Sequence, residues 1–326
     1  MASNPFPYSI DGKRYHTLAY ERRRQGYRVD KAAVDAGFSC PNRVSRREGG
    51  CLFCRQGSGY FTAAPLPLAE QLRRETARLQ KAGGQKQKTV AYFQAYTNTF
   101  APLEQLRRLY EEALAQPGIE GLAIATRPDA LPPEVIEYLA ALNRRVWLSV
   151  ELGLQTADDD TARAMGRGYD RACFTEAYQR LRRQGIRVCV HLICGLPGED
   201  LAAMEESARW LGQWRPPAVK IHSLHVLADT PLADWYRRGL YRPLTLEEYV
   251  TAAARQLTWL PPETVIERIT GDGDRRYLLA PRWSLHKLRV LSEIDRYMAE
   301  EDLWQGKFFT GGGPKPGQKA IDNAYL

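Results

Sequence analysis

The chain has 326 residues, of which 44% are hydrophobic and 26% are charged. This length fits one large domain or two small ones, and the composition excludes a disordered chain, a collagen and a coiled coil. The net charge of +8 is compatible with a polyanionic partner such as RNA, and equally with a merely basic enzyme.

The sequence contains no run of about 18 apolar residues, so we expect no membrane-spanning helix. The N-terminal residues lack the apolar segment of a secretory signal. We therefore expect a cytoplasmic protein without a membrane partner. In a reducing compartment, its six cysteines are more often metal ligands or catalytic groups than disulfides.

Apolar runs rich in β-forming residues alternate along the chain with segments of helical periodicity. The strands are predicted at 32–39, 89–95, 121–126, 146–152, 187–194 and 218–226. The helices are predicted after Pro102, at Pro132-Pro133, after the capping residue Asp170, from Leu201, and over 246–260. Such alternation predicts an α/β fold with a parallel sheet, and six units can form an open or partial (β/α)6 barrel.

Short extensions should flank this barrel. We assign 1–30 to an N-terminal extension, 31–260 to the core and 261–326 to a C-terminal extension. The last of these ends in a Gly/Pro/Lys-rich tail at 310–319, which we expect to be flexible or ordered by a partner. In barrels of this kind the chemistry lies at the carboxyl ends of the strands.

Three cysteines follow directly on the first predicted strand. Cys40, Cys51 and Cys54 have the spacing C-x10-C-x2-C, and Gly49-Gly50 allow the tight backbone approach that brings Cys40 back to the others. Three thiolates are one short of a closed structural zinc site, which would need a distant fourth ligand. A [4Fe-4S] cluster held by three cysteines leaves one iron open for a ligand. Unrelated surface thiols are the third alternative.

The other cysteines are interpreted as buried small hydrophobic residues. Cys173 falls in a predicted helix, and Cys189 and Cys194 share a strand at a spacing that points them to opposite faces. They therefore do not indicate a second cluster.

Six segments in chain order resemble the motifs of radical S-adenosylmethionine (SAM) enzymes. The resemblance is greatest to the YtqA/YhcC family, relatives of the Elongator catalytic subunit, and it spans residues 15 to 298. Here the first cysteine gap is ten residues rather than the common three, and Val44-Ser45-Arg46-Arg47 replaces an Asp-Gly-rich filler. The segments are 35–43, 49–54, 92–99, 125–129, 151–156 and 191–199.

The resemblance implies a radical SAM barrel with two cofactors, a [4Fe-4S] cluster and S-adenosyl-L-methionine. The open iron would chelate the amino and carboxylate groups of SAM. An electron from a donor such as flavodoxin or ferredoxin would then cleave SAM to a 5′-deoxyadenosyl radical. Cys40, Cys51 and Cys54 are the implied metal ligands and catalytic residues.

The resemblance also implies residues that bind SAM. Phe53 would lie beside the adenine, with core packing as the alternative. Gln94, Thr97 and Asn98 would bind the methionine amino end, or they cap a loop.

Further SAM contacts are implied at the ends of later strands. Glu151 and Gln155 would bind ribose hydroxyls or the amino group, although a buried, paired glutamate is an alternative. Arg167 would bind the SAM carboxylate, or it is a surface arginine. Ile193 and Gly195 fit two positions of a strand-five adenine motif.

Three histidines lie on predicted strands five and six. His191 occupies the position of the first glycine of the adenine motif, and only one of His222 and His225 should face inward. Together they suggest a substrate-facing or proton-handling wall, with satisfied core histidines as the alternative.

Kinship with the Elongator subunit implies tRNA as partner and its wobble uridine as substrate. No acetyltransferase domain is expected after residue 300, which argues against complete carboxymethylation. Without a second cluster, methylthiolation is also disfavoured. We therefore expect conversion of carboxymethylaminomethyluridine to aminomethyluridine. A radical SAM enzyme acting on a small molecule and a zinc-stapled, non-catalytic RNA-binding protein are the alternatives.

Basic and aromatic side chains could contact such an RNA, although solvated helix faces and core packing would explain them as well. These residues are Arg22–Arg24, Arg46-Arg47, Arg180, Arg182, Arg183, Arg275-Arg276, Tyr20, Tyr27, Tyr60 and Phe61.

Overall fold

The computed structural model describes residues 4–46, 48–55, 62, 66–80, 87–271 and 273–311. The predictions for Arg47, Tyr60, Phe61 and most of the 310–319 tail lie outside the described residues. None of the described helices is both long and apolar enough to cross a membrane.

Seven parallel strands form one curled sheet, a partial barrel with helices outside it. Across the sheet they follow chain order: β1 (Arg28–Val34), β2 (Gln87–Phe93), β3 (Ile119–Thr126), β4 (Trp147–Gln155), β5 (Arg187–Cys194), β6 (Ala218–Ser223) and β8 (Val265–Arg268). A separate antiparallel pair consists of β7 (Val226–Leu227) and β9 (Leu278–Ala280).

Ten α-helices occur in the described part of the chain. They are α1 (Leu18–Gln25), α2 (Leu68–Gln80), α3 (Leu103–Leu114), α4 (Pro133–Asn143), α5 (Asp159–Ala164), α6 (Arg171–Arg183), α7 (Leu201–Gly212), α8 (Pro231–Arg237), α9 (Leu246–Trp259) and α10 (Lys287–Glu300). The side chain of Asp170 accepts a hydrogen bond from the backbone of Cys173 and caps α6, as predicted.

The predicted α/β class and partial barrel are confirmed, with one strand more than expected. Strand β8 lies in the segment assigned to the C-terminal extension, yet it pairs with β6 and completes the sheet. It is only four residues long and ends in Glu267-Arg268, so its apolar signal is weak. Strand β1 likewise begins earlier than predicted, because Asp30 and Lys31 gave that segment a polar character.

The two faces of the sheet differ in chemistry because side chains alternate along each strand. Val150, Leu152 and Leu154 of β4 belong to the large apolar core beneath the helices. Glu151, between them, points into the barrel and lines a cavity there. Lys220 of β6 lines the same cavity, so the inner face of the sheet is polar at these positions.

Gly121 of β3 is paired with Trp147 of β4 and has no room for a side chain. A methyl group on Gly121 would lie 2.2 Å from the backbone oxygen of Trp147. We expect Gly121→Ala to lower the free energy of unfolding by about 1–3 kcal/mol, measured by urea denaturation. Gly153→Ala is the control, because its methyl would meet two side-chain ends and no backbone: the Tyr169 hydroxyl at 3.2 Å and Gln155 Nε2 at 3.9 Å. Equal losses in the two variants would contradict the steric explanation.

Candidate active site

A cavity of about 310 Å³ lies at the carboxyl ends of the strands. Cys40, Cys51 and Cys54 all line it, although they are separated by up to fourteen positions in the sequence. Polar side chains from β4, β5 and β6 line the same cavity. The three cysteines therefore meet where the chemistry of a partial barrel is expected.

The loop between Cys40 and Cys51 folds back at Gly49 and Gly50, whose φ angles are 81° and 103°. The backbone nitrogen of Gly50 donates a hydrogen bond of 2.8 Å to the carbonyl oxygen of Asn42. A methyl group on Gly50 would lie 2.9 Å from the guanidinium of Arg43. Glycine is therefore required here both for backbone conformation and for space.

Two polar side chains donate to the cysteine sulfurs. Arg43 Nη2 lies 3.2 Å from Cys54 Sγ, and Asn42 Nδ2 lies 3.5 Å from Cys51 Sγ. Burial, with the nearby Cys54 as a further cause, raises the pKa of Cys51 to about 11, against the opposing charge of Arg127. The free thiol is thus protonated at neutral pH, and binding of a metal centre must release its proton.

This donor set fits a [4Fe-4S] cluster with one open iron. Three thiols share the cavity, and hydrogen bonds already point at two of them. The remaining cysteines lie elsewhere: Cys173 is on α6, and Cys189 and Cys194 are buried on β5. Among the described residues, no group of three or more His, Cys, Asp or Glu side chains could hold a single metal ion.

Five of the residues predicted to bind SAM line the cavity: Phe53, Gln94, Thr97, Glu151 and Gln155. Phe53 also packs against a small apolar cluster, so it is at once a wall of the cavity and part of the packing. The backbone nitrogen of Thr97 donates to the carbonyl oxygen of Ser39, which ties the loop after β2 to the segment before Cys40.

The other four predicted SAM residues are not brought to the cavity wall. Asn98 is fully buried and donates to the carbonyl oxygen of Ala125. Ile193 packs in the apolar cluster beside Phe53, and a methyl on Gly195 would meet the Leu244 side chain at 2.9 Å. The fourth, Arg167, is described next.

Arg167 is neither the surface arginine of the one prediction nor on the wall of the cavity, where a SAM carboxylate would lie. Its side chain is fully buried, and its guanidinium donates to the carbonyl oxygens of Leu154, Thr156 and Tyr169 and to the carboxylate of Asp159. Nearly all of its donor capacity is used inside the protein. We therefore interpret Arg167 as a structural brace for the end of β4.

Glu151 lines the cavity and accepts four hydrogen bonds, and we call this residue and its charged and hydrogen-bonded partners the cavity floor. The donors are Lys31 Nζ at 2.6 Å, Lys220 Nζ at 2.5 Å, Tyr92 Oη at 2.6 Å and His191 Nε2 at 2.9 Å. Burial alone would raise the pKa of Glu151, but the charges of Lys220 and Lys31 outweigh it and lower the pKa well below its ordinary value. Glu151 is therefore ionised, and it fits the description of a buried glutamate that is paired with cations.

The histidines divide as the strand spacing predicts. His191 and His222 line the cavity, with ring centroids 5.1 Å apart, whereas His225 packs against Gly271 and Gly273 outside it. Burial lowers the pKa of His222 well below its ordinary range, and the charge of His191 lowers it further.

Sequence reasoning missed the partners of Glu151. Lys31 fell just before the predicted first strand, and Lys220 was read only as part of strand six. A signal was available, since a lysine between the apolar residues Val219 and Ile221 needs an acidic partner if the strand is buried. The ion pair to Glu151 is that partner.

Comparison with known families identifies this cavity. Residues 40–211 match the model of the Radical SAM superfamily, and residues 216–300 match the Radical_SAM C-terminal domain. The chain is a radical SAM enzyme. The match begins at Cys40, the first of the three cysteines that line the cavity.

Individual relatives show which family within the radical SAM superfamily the chain belongs to. It is 44% identical to Bacillus subtilis YtqA over 95% of this chain and 97% of that protein, and 38% identical to Escherichia coli YhcC over 86% and 91%. The predicted membership of the YtqA/YhcC family is thus confirmed.

The chain is also similar, at lower identity, to a tRNA uridine(34) acetyltransferase and to an archaeal Elp3. The chain is 28% identical to a Methanocaldococcus jannaschii tRNA uridine(34) acetyltransferase, over 52% of this chain and 31% of that protein. The structure of the archaeal Methanocaldococcus infernus Elp3 superimposes with a TM-score of 0.63 at 18% identity, over 86% of this chain and 64% of that one. The latter likeness shows a shared fold.

Proposed function

We propose that this radical SAM enzyme remodels the side chain of a tRNA wobble uridine, converting carboxymethylaminomethyluridine to aminomethyluridine. Loss of a hydrogen atom from the carboxymethyl carbon, and of a proton and one electron that the oxidised cluster would take back, would give an imine. Hydrolysis of its carbon–nitrogen bond would release the two carbons as glyoxylate. The observation that carries the chemistry is that Cys40, Cys51 and Cys54 line one cavity with the polar residues of the strand ends. The substrate class is supported by the similarity to the tRNA uridine(34) acetyltransferase over half of this chain.

Cys40, Cys51 and Cys54 would hold the [4Fe-4S] cluster. Phe53 would contact the adenine of SAM, Gln94 and Thr97 its amino end, and Gln155 its ribose. When bound, the two cofactors supply the reductive cleavage of SAM and removal of a hydrogen atom from an unactivated carbon. The protein positions these groups, and the small apolar cluster beside Phe53 would pack against the adenine.

The position of a basic helix supports an RNA substrate. The exposed Arg22 of α1 lines a second cavity, of about 330 Å³, together with residues of α2 and of several strands. That cavity shares Tyr92, Gln94, Lys220 and Arg268 with the active-site cavity. Five basic side chains line this second cavity beside Asp30, Glu75 and Glu267, and phosphate groups would be attracted to the basic ones.

The proposal includes a one-electron donor such as flavodoxin or ferredoxin. The exposed loop after Cys40, with Val44 90% exposed, lies next to the cluster ligands in sequence and is open to such a partner.

The test is an anaerobic reaction of the reconstituted protein with SAM, a reductant and tRNA that carries carboxymethylaminomethyluridine. We expect this nucleoside to decrease and aminomethyluridine to increase, together with 5′-deoxyadenosine, measured by mass spectrometry of nucleosides. Unmodified tRNA transcript is the control. Formation of 5′-deoxyadenosine with unchanged nucleosides, and no salt-sensitive retention of tRNA, would instead favour a small-molecule substrate.

A further inference from the structure

The imidazole ring of His191 is hydrogen-bonded through one of its two nitrogens. His191 Nε2 lies 2.9 Å from Glu151 Oε2, and the side chain is 24% exposed. Because an ionised carboxylate only accepts hydrogen bonds, Nε2 carries the hydrogen. In the neutral ring Nδ1 is then the unprotonated nitrogen. It makes no hydrogen bond to any residue that the structure describes.

Burial is the main reason that the pKa of His191 lies below its ordinary value, which keeps the ring neutral at neutral pH. The carboxylate of Glu151 on β4 raises the pKa of His191. The positive charges of Lys220 on β6 and Lys31 on β1 lower it, as burial does. The other ionisable groups on the neighbouring strands are Tyr92 on β2, Cys189 on β5 itself, His222 on β6, and Glu267 and Arg268 on β8.

The charges of the cavity floor also affect which charged groups of a substrate can bind there. The floor carries the cations Lys31 and Lys220 beside the carboxylates of Glu151 and Glu267, so an anionic substrate group finds positive partners there. The proposed substrate arm carries both a secondary ammonium and a carboxylate. Its carboxylate suits this floor, and the imidazolium formed when its ammonium gives up a proton would lie against the Glu151 carboxylate, 2.9 Å from Nε2.

Loss of that proton also assists the proposed reaction. A carbon radical formed between an amine nitrogen and a carboxylate is stabilised by the free electron pair of the nitrogen. An ammonium group has no such pair, so a base that removes its proton lowers the barrier to removing the neighbouring hydrogen atom.

We propose that His191 is the catalytic base that takes the proton of the substrate's secondary ammonium on Nδ1, with Glu151 as the residue that positions the ring. The N–H bond of the ammonium breaks and its electron pair stays on the substrate nitrogen. A new N–H bond forms at Nδ1, so the positive charge moves to the imidazole and no electron is transferred to or from the substrate. This inference rests on the proposed function.

The test compares His191→Gln with the control His286→Gln, which replaces an exposed histidine remote from the cavity. Conversion of the modified tRNA should fall by about 10²- to 10⁴-fold in His191→Gln and stay unchanged in the control. The wild-type rate should decline at acid pH as His191 becomes protonated. His191→Gln should lack this decline and recover in part with added imidazole.

The outcomes separate this inference from the proposed function. If the wild-type protein does not convert the nucleoside, the proposed function fails. If it does, and His191→Gln retains the rate and the acid decline, only the role of His191 is wrong. A second measurement, nitrogen-15 NMR of the full chain, should show His191 protonated on Nε2. The opposite tautomer would overturn the inference even if the variant did not fold.

Discussion

Cys54→Ala is expected to yield a folded protein that binds no [4Fe-4S] cluster and forms no 5′-deoxyadenosine above background. Removing one of three thiolates leaves two, too few to hold a cluster and keep one iron open for SAM. Because Cys54 lies on the cavity wall and is half-buried, an alanine there leaves only a small void. Iron and acid-labile sulfide analysis after anaerobic reconstitution, with assay of SAM cleavage, measures the loss.

Cys173→Ala is the matched control for this variant. Cys173 is also half-buried, but it lies on α6 and does not line the cavity. It should therefore keep the iron content and SAM cleavage of the wild-type protein. Wild-type protein that contained zinc without sulfide would contradict the cluster and would favour a zinc-stapled, non-catalytic protein instead.

The local features of the sequence were sufficient to predict the barrel and the loop that brings Cys40, Cys51 and Cys54 to one cavity. Each of these features depends on only a few neighbouring residues. The structure shows the cap at Asp170 and the turn at Gly49 and Gly50 as expected. The seventh strand was missed because its four residues carry two charges. Those charges are stable in a strand only because the barrel interior is polar.

The assignment of polar residues needed tertiary information. Arg167 lies in a glycine-rich loop that reads as exposed, yet the chain turns its guanidinium inward onto three carbonyl groups. Glu151 reads equally well as a SAM ligand or as an ion-paired residue. Only the position of Lys31, 120 residues away in sequence, decides between these.

The ion-pair network on the cavity floor should be essential for stability. Glu151 is fully buried between Lys31 and Lys220, and those lysines have only Glu267 as a further acidic partner among the described residues. Glu151→Gln removes the charge and leaves two cations together in a poorly solvated interior. Breaking a buried ion pair in this way costs about 3–5 kcal/mol. Urea denaturation at pH 7 should show a loss of that size.

The pH dependence follows from the lowered pKa of Glu151. Its stabilising contribution is complete above the ordinary glutamate pKa of about 4.3 and is lost as pH falls through the lower folded value. The gap between wild type and Glu151→Gln should therefore be constant from pH 8 to about pH 5 and shrink only in stronger acid. Glu206→Gln is the control: Glu206 pairs with Arg209 on the exposed face of α7, so its loss should not measurably change unfolding. If both variants unfold alike, the floor network contributes no more than a surface pair, and the polar interior must be stabilised by its packing instead.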